Sequence, residues 1–215
     1  MIIFDLDGTL VDSSNGIYHS YDYSCSTNSI QPVKYENFIA HIGPPIDLML
    51  DALHSGLSNS LKSNISSVFT SHYAEVGCKQ YSFKPGLHAF LGYLSSIEPL
   101  YILTNKKTSI ALDMMSEYSP YFQSILGRDF FSTQSQDKSS VARAFFNFVP
   151  SNEIVYVGDT QGDLELSTSM SWNFFPVQSL FLPSVNNILT NCIGTLSQCY
   201  DNKVSLDFLY KYFYV

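Results

Sequence analysis

The sequence predicts an α/β fold, namely a doubly wound, mainly parallel sheet with an α-helical domain inserted into it. Three observations lead to this prediction. Short apolar runs of strand length recur along the chain, stretches with helical periodicity alternate with them, and one long segment near the N-terminus contains only helix-like pieces. Strands that alternate with helices are typical of parallel sheets covered on both faces.

Short apolar runs bounded by polar or turn-forming residues are predicted to be buried strands. Four such runs cover residues 1–4, 100–103, 154–157 and 174–177. The first is followed by Gly8, which favours a strand that ends in a turn. The fourth is the weakest because it contains Pro176, which cannot donate a hydrogen bond to a neighbouring strand.

Helical periodicity fills the spaces between the later runs. Residues 86–95 place Leu87, Phe90, Leu91 and Leu94 at the spacing of an amphipathic helix. Residues 108–117 and 139–148 show a similar pattern. Each helix would connect one strand to the next parallel strand.

The segment of residues 13–82 interrupts this alternation. It contains no convincing buried strand, and it has helix-like patterns at residues 16–23, 35–41, 45–54 and 57–73. We therefore expect two domains, an α/β core of residues 1–12 and 83–215 and a helical cap of residues 13–82.

The composition excludes several classes of protein. With 215 residues, of which 15 are Tyr and 16 are Phe, the chain has ample apolar surface for a folded core. The net charge of −8 argues against a nucleic-acid binder, because contacts to phosphates need a basic surface. No apolar run approaches the roughly 20 residues of a transmembrane helix, so we expect no membrane partner.

The sequence also points to a compartment. Asp5 and Asp7 interrupt the N-terminal apolar run, so we expect no signal peptide. The four cysteines have neither the spacing of metal ligands nor a disulfide pattern, and they are Cys25, Cys78, Cys192 and Cys199. We expect free thiols in a reducing environment and a cytoplasmic protein.

Acidic side chains follow two of the predicted strands. Asp5 and Asp7 come after the first strand, and Asp159 and Asp163 come after the third. In an open parallel sheet, ligands bind outside the carboxyl ends of the strands, so these carboxylates should converge there. Neighbouring carboxylates repel one another unless a cation lies with them, and oxygen ligands suit Mg²⁺. The sequence therefore predicts a magnesium site at this edge.

Four segments resemble, in the correct order, the four motifs of the haloacid dehalogenase-like hydrolase superfamily, whose core is Rossmann-like. These segments are DLDGTLVDS at residues 5–13, LTNK at residues 103–106, Lys138 just before a helix, and GDTQGD at residues 158–163. The helical insert looks like the cap of the phosphoglycolate-phosphatase-like subgroup. The run FKPG at residues 83–86 resembles the point where the chain of that subgroup re-enters the core.

The resemblance implies a Mg²⁺-dependent phosphatase that forms an aspartyl-phosphate. Asp5 would be the nucleophile, and Asp7 would protonate the leaving oxygen and later deprotonate water. Lys138 would counter the charge that spreads over the transferred group, although Lys106 and Lys107 remain alternatives for this lysine. The carboxylates would bind or support the metal, and they are Asp5, Asp7, Asp159 and Asp163.

The resemblance also implies how substrate is bound. Thr104 would be a catalytic group and would hold phosphate oxygens together with Asn105. Gly43 and Pro44 in the cap would contact the rest of the substrate. The first expectation for the substrate is a small phosphorylated metabolite of the phosphoglycolate type. We expect the enzyme to be a monomer or a homodimer. The cap loop IGPPI at residues 42–46 looks like that of phosphatases for nucleoside 5′-monophosphates, so a 5′-nucleotidase remains open.

Two further activities are less consistent with the sequence. A sugar phosphomutase would resemble this chain, but the related mutases carry an arginine in the cap loop. The only arginines here, Arg128 and Arg143, lie outside the cap. A phospho-accepting signalling domain shares the sheet and the carboxylates, but it lacks a helical insert of this length and the second acidic motif.

Overall fold

The structure of the protein, a computed structural model, describes residues 1–131, 137–181 and 203–214. The strands are β1 (Ile2–Phe4), β2 (Val11–Asp12), β3 (Ser82–Phe83), β4 (Leu100–Leu103), β5 (Ser124–Leu126), β6 (Val155–Gly158) and β7 (Asn173–Pro176). The helices are α1 (Ser14–Thr27), α2 (Tyr35–Phe38), α3 (Ile46–Leu53), α4 (Asn59–Glu75), α5 (Leu87–Ser95), α6 (Thr108–Met114), α7 (Lys138–Phe146), α8 (Gln161–Ser169) and α9 (Lys203–Tyr214).

The central sheet has five strands in the order β5-β4-β1-β6-β7, and all neighbouring strands are parallel. In register, Ile3 of β1 lies between Tyr101 of β4 and Tyr156 of β6. The chain leaves β1 toward β4 on one side and returns to β6 on the other, so the strand order reverses at β1. Ligand sites in doubly wound sheets lie at such a reversal, outside the carboxyl ends of the strands.

Both faces of the sheet are covered by helices, as the alternation of strands and helices predicts. Ile3 belongs to a buried apolar cluster that includes Val141 of α7 and Leu166 of α8. The next residue of β1, Phe4, points to the other face and meets the ring of Phe90 in α5 edge-on, with centroids 6.0 Å apart. The predicted α/β class with a doubly wound parallel sheet is therefore confirmed.

Several elements differ from the pattern-based expectation. Strand β5, the short β2–β3 pair and helix α9 were not predicted.

Of the four cysteines, Cys25 and Cys78 are free, and the other two lie outside the described residues. Within the described ranges, no helix has both the length and the apolar character that a membrane span requires.

The chain forms two compact units, Met1–Val11 with Phe83–Val215, and Asp12–Ser82. The smaller unit consists mainly of helices α1–α4. Its interior is aromatic, because the buried ring of Tyr21 stacks on Phe38 with centroids 4.4 Å apart, and Tyr18 meets Tyr35 and Phe38 edge-on. The hydroxyl of Tyr21 lies 2.7 Å from Nε2 of His54, so this interior is packed and hydrogen-bonded.

The smaller unit depends on one close approach between backbone segments. A Cβ added at Gly16 in α1 would lie 2.0 Å from the carbonyl oxygen of Gly77, which is shorter than any normal contact. We expect Gly16→Ala to destabilise this unit by about 2 kcal/mol, because neither backbone can retreat without losing packing. Urea unfolding followed by circular dichroism measures this change.

Gly92→Ala is the matched control. Gly92 also lies in a helix, but its added Cβ would be 3.6 Å from Tyr121, an ordinary contact. We expect this change to be neutral or to stabilise the protein by about 0.5 kcal/mol through helix propensity. Equal effects of the two substitutions would contradict the close approach.

Candidate active site

The end of β1 is a tight turn that carries Asp5. The Asp5 amide still donates to Val157 of β6 at 2.8 Å, so the residue is held at the edge of the sheet, and it is buried. The chain then turns at Gly8, where φ is +83° and an added Cβ would lie only 2.2 Å from Oδ2 of Asp159. Only glycine permits both this conformation and this approach, which brings the ends of β1 and β6 together.

Three carboxylates converge at this point. Each of Asp5, Asp159 and Asp163 offers an oxygen, and these oxygens lie within 4.8 Å of one another. Thr9 Oγ1 donates to Asp159 Oδ1 at 2.9 Å, whereas the buried Oδ2 of Asp159 accepts no hydrogen bond from the described residues. Burial and the charge of Asp163 raise the pKa of Asp159 to about 7, although the hydroxyls of Ser179 and Thr9 act in the opposite direction. A buried oxygen without a donor, among hard oxygen ligands, fits a divalent cation such as Mg²⁺.

Asp163 is held by four hydrogen bonds. Its Oδ2 accepts from the backbone amide and the hydroxyl of Thr160, at 2.9 and 2.6 Å, in a capping box that begins α8. Its Oδ1 accepts from Tyr156 Oη at 3.0 Å and from Lys138 Nζ at 2.5 Å. Burial opposes the ionised form, but the charge and hydrogen bond of Lys138 outweigh it and lower the pKa of Asp163. Both oxygens are thus occupied by protein donors, unlike Oδ2 of Asp159.

Lys138, the first residue of α7, reaches the buried centre of the site. Its Nζ lies 3.0 Å from Oδ1 of Asp5 and 2.5 Å from Oδ1 of Asp163. Burial favours the neutral amine, but the charges of Asp163 and Asp5 outweigh it and raise the pKa of Lys138 well above its usual value. Burial together with the neighbouring carboxylates raises the pKa of Asp5 despite this ammonium group.

The two alternative lysines, Lys106 and Lys107, are placed differently from Lys138. Lys106 is buried, and its Nζ is 2.8 Å from Oδ1 of Asp7. Lys107 is exposed and precedes α6. Of the three lysines, Lys138 is therefore the one that contacts Asp5, while Lys106 holds the carboxylate of Asp7.

Thr104 and Asn105, which directly follow β4, are the next predicted site residues. Thr104 is 1% exposed, its amide donates to Leu126 of β5, and its Oγ1 accepts from the amide of Lys106 at 3.2 Å. Asn105 Oδ1 accepts from the backbone amide of Lys138 at 3.1 Å. Asn105 therefore fixes the start of α7 to the loop after β4.

The two predicted substrate contacts of the insert lie in the smaller unit. Gly43 and Pro44 are in the loop between the 3₁₀ turn Ile39–His41 and helix α3, where Gly43 is partly exposed and Pro44 is exposed.

Sequence reasoning missed four side chains that organise the site. These are Thr9, Lys106 in its contact with Asp7, Tyr156 and Thr160. Thr160 could have been found, because a threonine three residues before an acidic residue at the start of a helix is the signature of a capping box. Tyr156 carried only the signal of a buried strand, which does not reveal the partner of its hydroxyl.

Comparisons with known proteins identify the family of the chain. Residues 2–177 match the haloacid dehalogenase-like hydrolase family. A phosphoglycolate phosphatase of Photorhabdus laumondii is 24% identical over 211 residues, which cover 91% of this chain and 90% of the relative. A phosphoglycolate phosphatase of Aquifex aeolicus is 27% identical over 173 residues, which cover 77% of this chain and 78% of the relative.

Solved structures show the same architecture. A haloacid dehalogenase-like family hydrolase from Streptococcus pneumoniae is 28% identical, with a TM-score of 0.76 and a coverage of 89% of each chain. A structure from Clostridium acetobutylicum described as a predicted phosphatase is 22% identical, with a TM-score of 0.76 and the same coverage. At this identity, the similarity supports a shared fold. The chain therefore belongs to the haloacid dehalogenase-like hydrolase family as an enzyme with phosphatase activity, and it is similar to the phosphoglycolate phosphatases.

Proposed function

We propose that the protein is a Mg²⁺-dependent phosphatase that hydrolyses a small phosphorylated metabolite of the phosphoglycolate type through an aspartyl-phosphate on Asp5. The observation that carries this proposal is the contact of Asp5 with Lys138, beside a carboxylate of Asp159 whose buried Oδ2 lacks a donor. A nucleophile, a fixed positive charge and a cation-binding oxygen are the parts that phosphoryl transfer requires.

Asp5 is suited to attack phosphorus because its carboxylate is buried and oriented. In the first step, an oxygen of Asp5 would form a bond to phosphorus while the bond from phosphorus to the ester oxygen breaks. Lys138, 3.0 Å from Asp5, would counter the charge on the transferred group. When bound, Mg²⁺ supplies Lewis-acid neutralisation of the phosphate charge and of the carboxylates around it.

Asp7 lies two residues after Asp5 and is the candidate for proton transfer. It would give a proton to the leaving oxygen and then take a proton from the water that attacks the phosphorus of the aspartyl-phosphate, which frees Asp5. Lys106, 2.8 Å from Asp7 Oδ1, would fix the orientation of this carboxylate. We assign Lys106 a positioning role for this reason.

The metal would be held by Asp5 and Asp159, with the backbone carbonyl of Asp7 as a further oxygen ligand. The four hydrogen bonds of Asp163 favour a different part for that residue, namely support of the site through Lys138. Thr104, which is buried and directly follows β4, would donate its hydroxyl to a phosphate oxygen.

We further propose that the smaller unit is the cap and that its loop at Gly43 and Pro44 contacts the substrate. The packing of two rings of this unit, Tyr18 and Tyr21, makes them poor stacking partners for a nucleotide base and so supports a small acid as the substrate. Tyr21 is fully buried and stacked on Phe38, and Tyr18 makes edge contacts within the same interior, so these rings are committed to packing. A nucleotidase would need aromatic faces available to a base.

The test is phosphate release with and without Mg²⁺, first from p-nitrophenyl phosphate and then from a panel of phosphorylated metabolites. We expect kcat/KM for phosphoglycolate to exceed that for nucleoside 5′-monophosphates by about tenfold, which corresponds to about 1.4 kcal/mol. A preference of more than tenfold for nucleotides would assign the 5′-nucleotidase activity instead. The absence of any phosphate release would refute the proposed mechanism.

A further inference from the structure

Tyr156 is a buried polar residue of the site to which the proposed mechanism gives no role. Tyr156 lies in the middle of β6 and is fully buried. Its hydroxyl donates to Oδ1 of Asp163 at 3.0 Å. A buried phenol needs a hydrogen-bond partner, and here that partner is an ionised carboxylate, which makes the bond stronger than one to a neutral acceptor.

The same carboxylate oxygen also binds Lys138. Oδ1 of Asp163 receives Lys138 Nζ at 2.5 Å, and that ammonium group lies 3.0 Å from Asp5 and 5.7 Å from the centre of the Tyr156 ring. Tyr156 therefore contacts both the carboxylate that holds the lysine and the lysine itself. Lys138 is shared between Asp163, which anchors it, and Asp5, where the chemistry occurs.

The hydroxyl affects how this lysine is shared. Without it, Oδ1 of Asp163 would have Lys138 as its only donor, and the carboxylate would attract the ammonium group more strongly. A lysine drawn toward Asp163 would serve Asp5 and the transferred group less well. The hydroxyl of Tyr156 offsets this pull because it takes up part of the negative charge of Asp163.

We propose that Tyr156 is a positioning residue for phosphoryl transfer, which acts through Asp163 to keep Lys138 available to Asp5. This inference rests on the proposed function, and it adds a residue that none of the four motifs contains. Tyr156 itself would touch neither substrate nor metal.

The test is Tyr156→Phe, which keeps the ring and removes the hydroxyl. We expect kcat for p-nitrophenyl phosphate to fall about tenfold, the effect of one hydrogen bond to a charged group, while KM changes less than twofold. Tyr214→Phe is the matched control, because Tyr214 Oη donates to a backbone carbonyl oxygen of the same unit, that of Pro176, and not to a carboxylate of the site. We expect the control to stay within twofold of the wild type.

A double-mutant cycle separates positioning from a general loss of stability. In a Lys138→Met background, removal of the Tyr156 hydroxyl should change the residual kcat by less than twofold, because the group through which it acts is gone. If Tyr156 were purely structural, removal of its hydroxyl would lower kcat by the same factor in both backgrounds. That additive result, or a kcat of Tyr156→Phe within twofold of the wild type, would overturn the inference.

A urea-unfolding cycle with the same variants needs no activity. We expect Tyr156→Phe and Lys138→Met to be coupled by at least fivefold in the unfolding equilibrium constant, whereas Tyr214→Phe and Lys138→Met should be independent. If the wild type releases no phosphate, the proposed function fails, and this coupling still decides whether the Tyr156 hydroxyl acts on Lys138 through Asp163. Independent effects of Tyr156 and Lys138 would then refute it.

Discussion

Replacing Asp5 by Asn should abolish phosphate release and leave the fold intact. The substitution keeps the shape of the side chain but removes the nucleophilic charge, so we expect turnover to fall by roughly 10⁴-fold or more. Stability should hold or rise, because burial and the nearby carboxylates already raise the pKa of Asp5 and so disfavour its charge. Lys138 keeps an anionic partner in this variant, since it also contacts Asp163.

The measurement has three parts. Phosphate release gives the turnover, thermal unfolding gives the stability, and acid quenching with a labelled substrate detects the aspartyl-phosphate in the wild type and its loss in Asp5→Asn. Asp113→Asn is the control, because Asp113 is exposed on α6. Clean Asp5→Asn protein that retained phosphatase activity would exclude the covalent mechanism.

Exhaustive chelation should reduce turnover by about a hundredfold or more, and Mg²⁺ should restore it. Three carboxylates lie within 4.8 Å of one another at the site, with Lys138 as the cation bound to two of them. A substrate dianion adds further negative charge, and two unit charges about 4 Å apart interact by roughly 4 kcal/mol at an effective dielectric near 20. Without a divalent cation, this repulsion opposes both substrate binding and attack by Asp5.

The dependence of activity on Mg²⁺ should require the carboxylate of Asp159. In Asp159→Asn, we expect the concentration of Mg²⁺ for half-maximal activity to rise and the thermal stabilisation by Mg²⁺ to fall. The reason is that the oxygen without a donor loses its charge. The thermal shift measures metal binding without substrate. Ca²⁺ should inhibit, because its larger and looser coordination disturbs the alignment of phosphoryl transfer. Full activity after chelation would contradict a metal-dependent mechanism.

The strands that carry the site were predictable, while others were not. Strands β1 and β6 are apolar runs that end in acidic motifs, so both local pattern and chemistry identify them. Strand β5 is three residues long and begins with Ser124, which leaves only Ile125 and Leu126 as an apolar signal. Helix α9 was missed because aromatic residues on several sides of it obscure its periodicity, although Leu206, Leu209 and Phe213 are the buried ones.

Within the site, the sequence identified residue types but not all of their partners. The motifs placed four carboxylates at one edge, and the structure brings Asp5, Asp159 and Asp163 together. The fourth, Asp7, lies outside this cluster and pairs with Lys106. The contact between Lys106 and Asp7 depends on how two loops from separate strands meet, which no local pattern encodes. For the same reason, the sequence left three lysines open for one role.

The position of β1 in the middle of the sheet has a consequence for how the chain folds. Ile2 pairs with Leu100 on one side and with Val155 on the other, so β1 meets its second neighbour only after the roughly 150 residues that follow it have been made. Such a high contact order makes folding slow, because long loops must close before the sheet can form. The helical unit Asp12–Ser82, by contrast, comes from one continuous stretch and can form early during synthesis. Asp5, the proposed nucleophile at the end of β1, is therefore synthesised long before the strand β6 that completes its native surroundings.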